Sequence, residues 1–227
     1  MKIAFIIPIK NRKNNISETY FNKIMLPSLI KTVDTEKYNI SIYLGYDKDD
    51  ILYSEDQQKF LINNFKNFTF KFIEFDKNVK KGHLTKMWNI LFQEAYNDDN
   101  IYMYQCGDDL HFLTNNWLND SVEILNNNNN IGISGPMNDN MLILTQSLIH
   151  RNHMKIFGYF LDSKNIINYY LDDWLNLIYS PKNVFIMKNH YCPNEPKEPR
   201  YQINFDLDKL KSSVKYHKSI LDNYQKT

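Results

Sequence analysis

Ile3-Ala4-Phe5-Ile6-Ile7 is an unbroken apolar run near the start of the chain. A strand that is apolar at every position is buried on both faces. Strands of that kind sit inside parallel sheets covered by helices on either side. Because parallel neighbours need long crossovers between them, the run predicts alternating strands and helices downstream.

The following hundred residues keep that alternation. Pro8 and Asn11 end the first strand, and Lys10, Arg12 and Lys13 form a basic cluster at its carboxyl end. Asn15 and Glu18 have capping-box spacing, which predicts a helix from there to about Val33, kinked or split by Pro27. Ile40 to Tyr46 reads as a second strand, followed by Asp47-Lys48-Asp49-Asp50. Ser54 and Gln57 repeat the capping spacing ahead of a helix from Glu55 to about Phe65. Thr69 to Phe75 alternates, as a half-exposed strand does. Lys80-Lys81-Gly82-His83 is a basic turn, and Leu84 to Tyr96 places Leu84, Met87, Trp88, Leu91, Phe92 and Ala95 on one helical face.

Ile101 to Tyr104 then predicts another buried strand, running into Gln105-Cys106-Gly107-Asp108-Asp109. Glycine permits a sharp turn where the strand stops. It leaves two adjacent carboxylates at a strand's carboxyl end, where open α/β sheets bind ligands. Two such groups raise each other's pKa unless a cation lies between them, and hard oxygen donors suit Mg²⁺ or Mn²⁺. A solvated polar turn is the plainer alternative.

Downstream, helices are expected over Trp117–Leu125, Asn168–Tyr179 and Asp206–Tyr224. Strands are expected over Ile131–Gly135, Met141–Leu144 and Val184–Met187. Asn126 to Asn130 reads as a loop tip, and Pro193, Pro196 and Pro199 as a stiff connection. The fold class expected is α/β: a mostly parallel central sheet with helices on both faces and a C-terminal helical appendage. One domain spans 1–192, and 193–227 packs on it.

Composition narrows the partners. The 227 residues carry a net charge of +1, which gives no reason to expect nucleic acid or an anionic membrane. Two cysteines, Cys106 and Cys192, are no disulfide framework. The apolar run from Ile3 to Ile9 contains Pro8 and is too short for a signal-peptide core or a transmembrane segment, so a cytoplasmic protein is expected.

Taken in order, these motifs resemble the GT-A glycosyltransferases, in particular the inverting family 2 type. Ile6-Ile7-Pro8-Ile9-Lys10-Asn11-Arg12 looks like that family's opening strand. Asp47 stands at its base-contacting turn, and Gly82 with Asn89 at its glycine before a helix. Gly107-Asp108-Asp109 stands where its metal motif belongs. Asp172-Asp173-Trp174 matches its acidic pair followed by an aromatic, and His190 its late histidine. Three features depart from the pattern: Gly107 replaces an acid, Asp172 replaces a glutamate, and Phe157 to Asp162 is the nearest match to a Gly-Gly-Phe-Asp segment.

The resemblance implies a GT-A, Rossmann-like fold and transfer of a sugar from a nucleotide-sugar donor to an acceptor hydroxyl with inversion. UDP is expected from its frequency in the fold. Asp109 and His190 are the implied ligands of Mn²⁺ or Mg²⁺, and Asp173 the implied base with Asp172 beside it. Pro8, Ile9, Lys10, Arg12, Asp47, Lys81, Gly82 and Asp108 are the implied donor contacts, with Lys80 an alternative cation. Trp174 and Tyr170 are candidates for stacking on an acceptor, Trp174 equally for core packing. The acceptor is a glycan, a lipid-linked sugar or a protein. The C-terminal helix is expected either to close over the acceptor or to form a homodimer contact.

Three alternatives follow from the same residues. Gly-Asp-Asp also occurs in RNA polymerases, but this chain is short for one and lacks a basic surplus. A sugar-phosphate nucleotidyltransferase would share the sheet and carboxylates, but its Gly-rich basic loop is missing after Ile9. A non-catalytic nucleotide- or glycan-binding relative fits the Gly107 departure.

Overall fold

The computed structural model describes residues 1–10, 13–195 and 201–226. Asn11, Arg12, Pro196 and Pro199, singled out above, lie outside the described residues.

Among the described residues, seven strands form one mixed sheet in the order β3-β2-β1-β4-β6-β5-β7. They are β1 (Lys2–Pro8), β2 (Asn39–Tyr46), β3 (Thr69–Glu74), β4 (Tyr102–Gln105), β5 (Ile133–Met137), β6 (Ser147–His150) and β7 (Val184–Tyr191). β1 pairs in parallel with β2 and β4, β2 with β3, and β5 with β7. β6 runs antiparallel to both of its neighbours, β4 and β5.

The helices are α1 (Leu26–Thr32), α2 (Glu55–Asn64), α3 (Leu84–Asn97), α4 (Trp117–Asn127), α5 (Asn152–Phe157), α6 (Leu171–Tyr179) and α7 (Leu207–Tyr224). β1 shows why both sheet faces are covered. Ile3, Phe5 and Ile7 join one core cluster with α1, α2 and α4, while Ala4 and Ile6 join another with α3, α5, α6 and α7. The period-2 pleat sends alternate side chains of a wholly apolar strand into two separate cores. α7 buries Leu210, Ser213, His217 and Leu221 in the second core, with Asp206 capping it through Lys209 N at 3.0 Å. Among the described residues, no helix is long and apolar enough to cross a membrane.

Several local expectations are corrected. The helix foreseen from Asn15 to Val33 is three pieces: a 3-10 turn Ile16–Glu18, a π turn Phe21–Met25 and α1. Pro27 has no N–H and its ring crowds the carbonyl one turn back, so a regular α ladder cannot pass through it. Widening to the i→i+5 pattern, with Leu26 N donating to Phe21 O, absorbs the mismatch. Asn15 does cap, accepting from Ser17 N at 2.9 Å. Ser54 makes no side-chain cap, and Gln57 instead accepts from Ile16 N at 2.8 Å. Met141–Leu144 is no strand; Met141 is 63% and Leu142 82% exposed. The Leu144 backbone is taken by the Asn176 side chain, at 3.0 Å to its N–H and 2.8 Å to its carbonyl. β5 continues through Pro136 to Met137, with a register shift between them.

Candidate active site

β4 lies on the opposite side of β1 from β2, so the chain reverses direction across the sheet between β1 and β4. The loops leaving the carboxyl ends of such strands diverge and leave a crevice. A cleft of about 360 Å³ opens there. Pro8, Ile9 and Lys10 reach it from the end of β1, Asp47 from β2, Phe75 from β3, and Gly107, Asp108 and Asp109 from β4. Lys81, Gly82, Leu84, Met87 and Trp88 line it from the start of α3. Thr145, Asp172, Asn194 and Tyr201 close it from the distant half of the chain.

Two backbone anchors hold the near wall. Ile9 N donates to Gly45 O at 2.8 Å, extending the β1–β2 ladder past Pro8. Trp88 Nε1 donates to Ile6 O at 3.1 Å, tying α3 to the strand beneath it. The Gly82 turn is held by Asn168, which is buried. Asn168 Nδ2 donates to Gly82 O at 3.0 Å and Gln202 O at 3.1 Å, and its Oδ1 accepts from Asn204 N at 2.9 Å.

The turn after β4 is tightly folded at Gly107. A Cβ there would stand 2.6 Å from Asp109 Oδ1, so a side chain at this position would turn that carboxylate out of its present place. Asp109 is further secured by Glu195 N donating to its carbonyl at 2.8 Å. Asn194 Nδ2 lies 3.5 Å from its Oδ1. Cys106 beside it and Cys192 are buried and unpaired, and burial pushes both thiols up.

At the cleft mouth, Lys10 Nζ lies 3.2 Å from Asp49 Oδ1 and 3.7 Å from Asp47 Oδ2, while Lys81 Nζ lies 2.6 Å from Asp49 Oδ2. Hydrogen bonds from Lys81 first, then Lys10, pull the Asp49 carboxyl down to about 2. Across the cleft, Asp172 is raised well above an ordinary aspartate, first by burial and then by the charge of Asp173. Gln105 lies close enough to Asp172 to offset part of this. Among the described residues, neither Asp172 Oδ1 nor Gln105 Nε2 has a partner at hydrogen-bond distance.

The residues foreseen for donor binding that fall among the described ones therefore meet in one cleft, together with Asp109 and Asp172. Four others do not. Asp173 follows Asp172 on α6, and neighbours on a helix point about 100° apart; only Asp172 lines the cleft. Trp174 is fully buried and donates to Ser213 Oγ at 2.8 Å, so it is core rather than acceptor wall. Tyr170 packs edge-on against Tyr169 and Phe205, outside the cleft lining. His190 projects away, with Nδ1 3.0 Å from Thr114 Oγ1 and Nε2 2.8 Å from Asp120 Oδ2. Asp120 lines a separate depression with Glu123 and Met187, and the chain rejoins the cleft only at Asn194. Among the described residues, no three His, Cys, Asp or Glu side chains are grouped to hold a metal by themselves.

Asn168, Asn194, Thr145 and Tyr201 were not foreseen as part of the site. Each lies in a loop, and nothing local in an asparagine or tyrosine marks a long-range partner.

No family model matches this sequence, nor does any curated protein. Solved structures do match. The crystal structure of S. aureus TarS 1–349 in complex with UDP is 10% identical with a TM-score of 0.61, over 96% of this chain and 65% of that one. The UDP-GlcNAc complex of the same protein is 12% identical with a TM-score of 0.60, over 97% and 66%. A further TarS structure is 11% identical with a TM-score of 0.56, over 84% of this chain and 36% of that one. This chain thus spans about two thirds of the TarS 1–349 chains and about a third of the other. At such low identity the likeness lies in the fold, which this chain shares with a protein solved with a nucleotide sugar.

Proposed function

We propose that this chain transfers a sugar from a UDP-sugar donor to an acceptor hydroxyl in one inverting displacement. The observation that carries this reading is convergence: Asp47, Asp108, Asp109, Lys10 and Lys81 come from four loops, and Asp172 from α6, into one cleft, in a fold shared with TarS.

Each residue has a task. Asp47, at the end of β2, accepts a hydrogen bond from a base N–H, and the Pro8-Ile9 backbone lines the base. Lys10 and Lys81 face the diphosphate, where positive charge stabilises the group as it leaves. Two carboxylates on one turn are a suitable protein share for Mg²⁺ or Mn²⁺, which take few protein ligands and complete their shell with phosphate and water. Asp109, with Asp108 in support, is that pair, and His190 has no part in it. Held by these carboxylates, a divalent cation would supply positive charge to the diphosphate as it departs.

Asp172 accepts the proton of the acceptor hydroxyl as its oxygen attacks the anomeric carbon. A raised pKa makes its ionised form a stronger base than an exposed aspartate. The acceptor is a glycan, a lipid-linked sugar or a protein.

The test is nucleotide release from a panel of UDP- and GDP-sugars, with Mn²⁺ and with chelator. Metal-dependent release that Asp109→Asn and Asp172→Asn each abolish supports the reading. Binding of nucleotide sugars without release from any of them identifies a binding module instead. Turnover of nucleoside triphosphate with sugar phosphate would point to nucleotidyl transfer.

A further inference from the structure

Asp49 does not line the cleft, yet it joins the two lysines that do. It offers Oδ1 to Lys10 Nζ at 3.2 Å and Oδ2 to Lys81 Nζ at 2.6 Å. The three residues belong to three loops, those after β1, after β2 and before α3. One carboxylate giving an oxygen to each of two ammonium groups has the form of a bridging phosphate.

We infer that Asp49 is a resident counter-anion: it occupies the lysine seat of the donor diphosphate, and donor binding exchanges one anion for the other. The contacts suit exchange. Lys10 is 39%, Lys81 64% and Asp49 59% exposed at the side chain, so water already competes for them. Exposed pairs of this kind hold weakly. A diphosphate brings more charge than a carboxylate and displaces it, whereas a singly charged anion does not. Asp49 thereby acts as a threshold that favours diphosphates over weaker anions. Its release also undoes the link from the loop after β2 to Lys81, while Asp47 keeps its own contact with Lys10 at 3.7 Å.

The identity of the anion rests on the nucleotide-sugar reading; the exchange does not. Titration calorimetry with inorganic pyrophosphate and with UDP, in Mg²⁺, compares wild type, Asp49→Asn and Lys81→Met. The isosteric Asp49→Asn protein is expected to bind pyrophosphate roughly three- to ten-fold tighter at low salt, with the gain shrinking as salt rises. Lys81→Met is expected to bind more weakly than wild type. If Asp49→Asn binds pyrophosphate no better than wild type, or if neither protein binds it, the inference is overturned. In the first case Asp49 is a buttress that holds the lysines in place. A gain in pyrophosphate affinity without turnover of any nucleotide sugar removes the sugar-transfer reading and leaves the exchange standing. Turnover without the gain does the reverse.

Discussion

Asp172 lines the cleft and its neighbour Asp173 does not, although the two are consecutive on α6. Their roles therefore separate by substitution. Asp172→Asn is expected to lower kcat by on the order of 10² to 10⁴, the usual worth of a general base. UDP affinity should stay within about two-fold of wild type, since the base acts on the acceptor side. Asp173→Asn should retain most turnover. Because burial and Asp173 raise the Asp172 carboxyl, the acidic limb of the kcat profile should lie above the ordinary aspartate range. Asp173→Asn removes the like charge and should move that limb down. Steady-state kinetics across pH checks all of these, and a dead Asp173→Asn beside an active Asp172→Asn reverses the assignment.

Gly82 has φ +80°, and a Cβ there would stand 2.8 Å from Tyr201 Cβ. An alanine is strained by its backbone and pushes on a residue of the opposite cleft wall. Gly82→Ala is expected to destabilise the fold by about 1–3 kcal/mol in urea unfolding. UDP binding should weaken as well, because Lys81 and Tyr201 both move. An unchanged unfolding midpoint would show that the turn relaxes freely.

The strand–helix alternation and the placement of both cores were legible because they rest on short-range periodicity. Ile3 to Ile7 announced a strand shared between two cores, and Leu84 to Ala95 announced the buried stripe of α3. The cleft wall built after β1, β2 and β4 was legible for the same reason, since its residues follow the ends of recognisable strands. The wall built by α6 was not. Which of Asp172 and Asp173 faces the cleft depends on the rotation of α6, and that rotation is set by the Asn176–Leu144 hydrogen bonds and the burial of Trp174. Met141 to Leu144 has a strand's composition, yet an asparagine side chain takes its backbone partners before a sheet can.

His153 on α5 is buried, with Nε2 2.8 Å from Phe160 O and Nδ1 2.8 Å from Tyr179 OH. A carbonyl only accepts, so Nε2 carries the proton and Nδ1 accepts from the tyrosine. Burial pushes its pKa from 6.5 down to about 4. The unfolded chain therefore takes up this proton first as pH drops. The stability is complete above about pH 6.5 and is lost progressively toward pH 4, by roughly 3 kcal/mol in all. Urea midpoints measured from pH 7.5 to 4.5 should fall accordingly, and His153→Gln should flatten part of the slope. His150 is lowered to about 4 by the same cause, so the variant's curve becomes shallower rather than level.

His190 tests the metal assignment from the negative side. Its two ring nitrogens are held by Thr114 and Asp120, and it is absent from the cleft lining. If Asp109 and Asp108 carry the cation, His190→Ala should leave the Mn²⁺ concentration for half-maximal turnover unchanged. Asp109→Asn should raise it sharply or abolish turnover. Stability should respond in the opposite way. Removing His190 leaves Thr114 and Asp120 without this partner beside a buried gap, at a cost of about 1–3 kcal/mol. Calorimetric melting would register that loss, whereas Asp109→Asn, which keeps the size of a half-buried side chain, should melt closer to wild type without metal. A His190→Ala protein that melts normally but needs far more Mn²⁺ would restore the imidazole to the metal, and with it a rearrangement of β7 on donor binding.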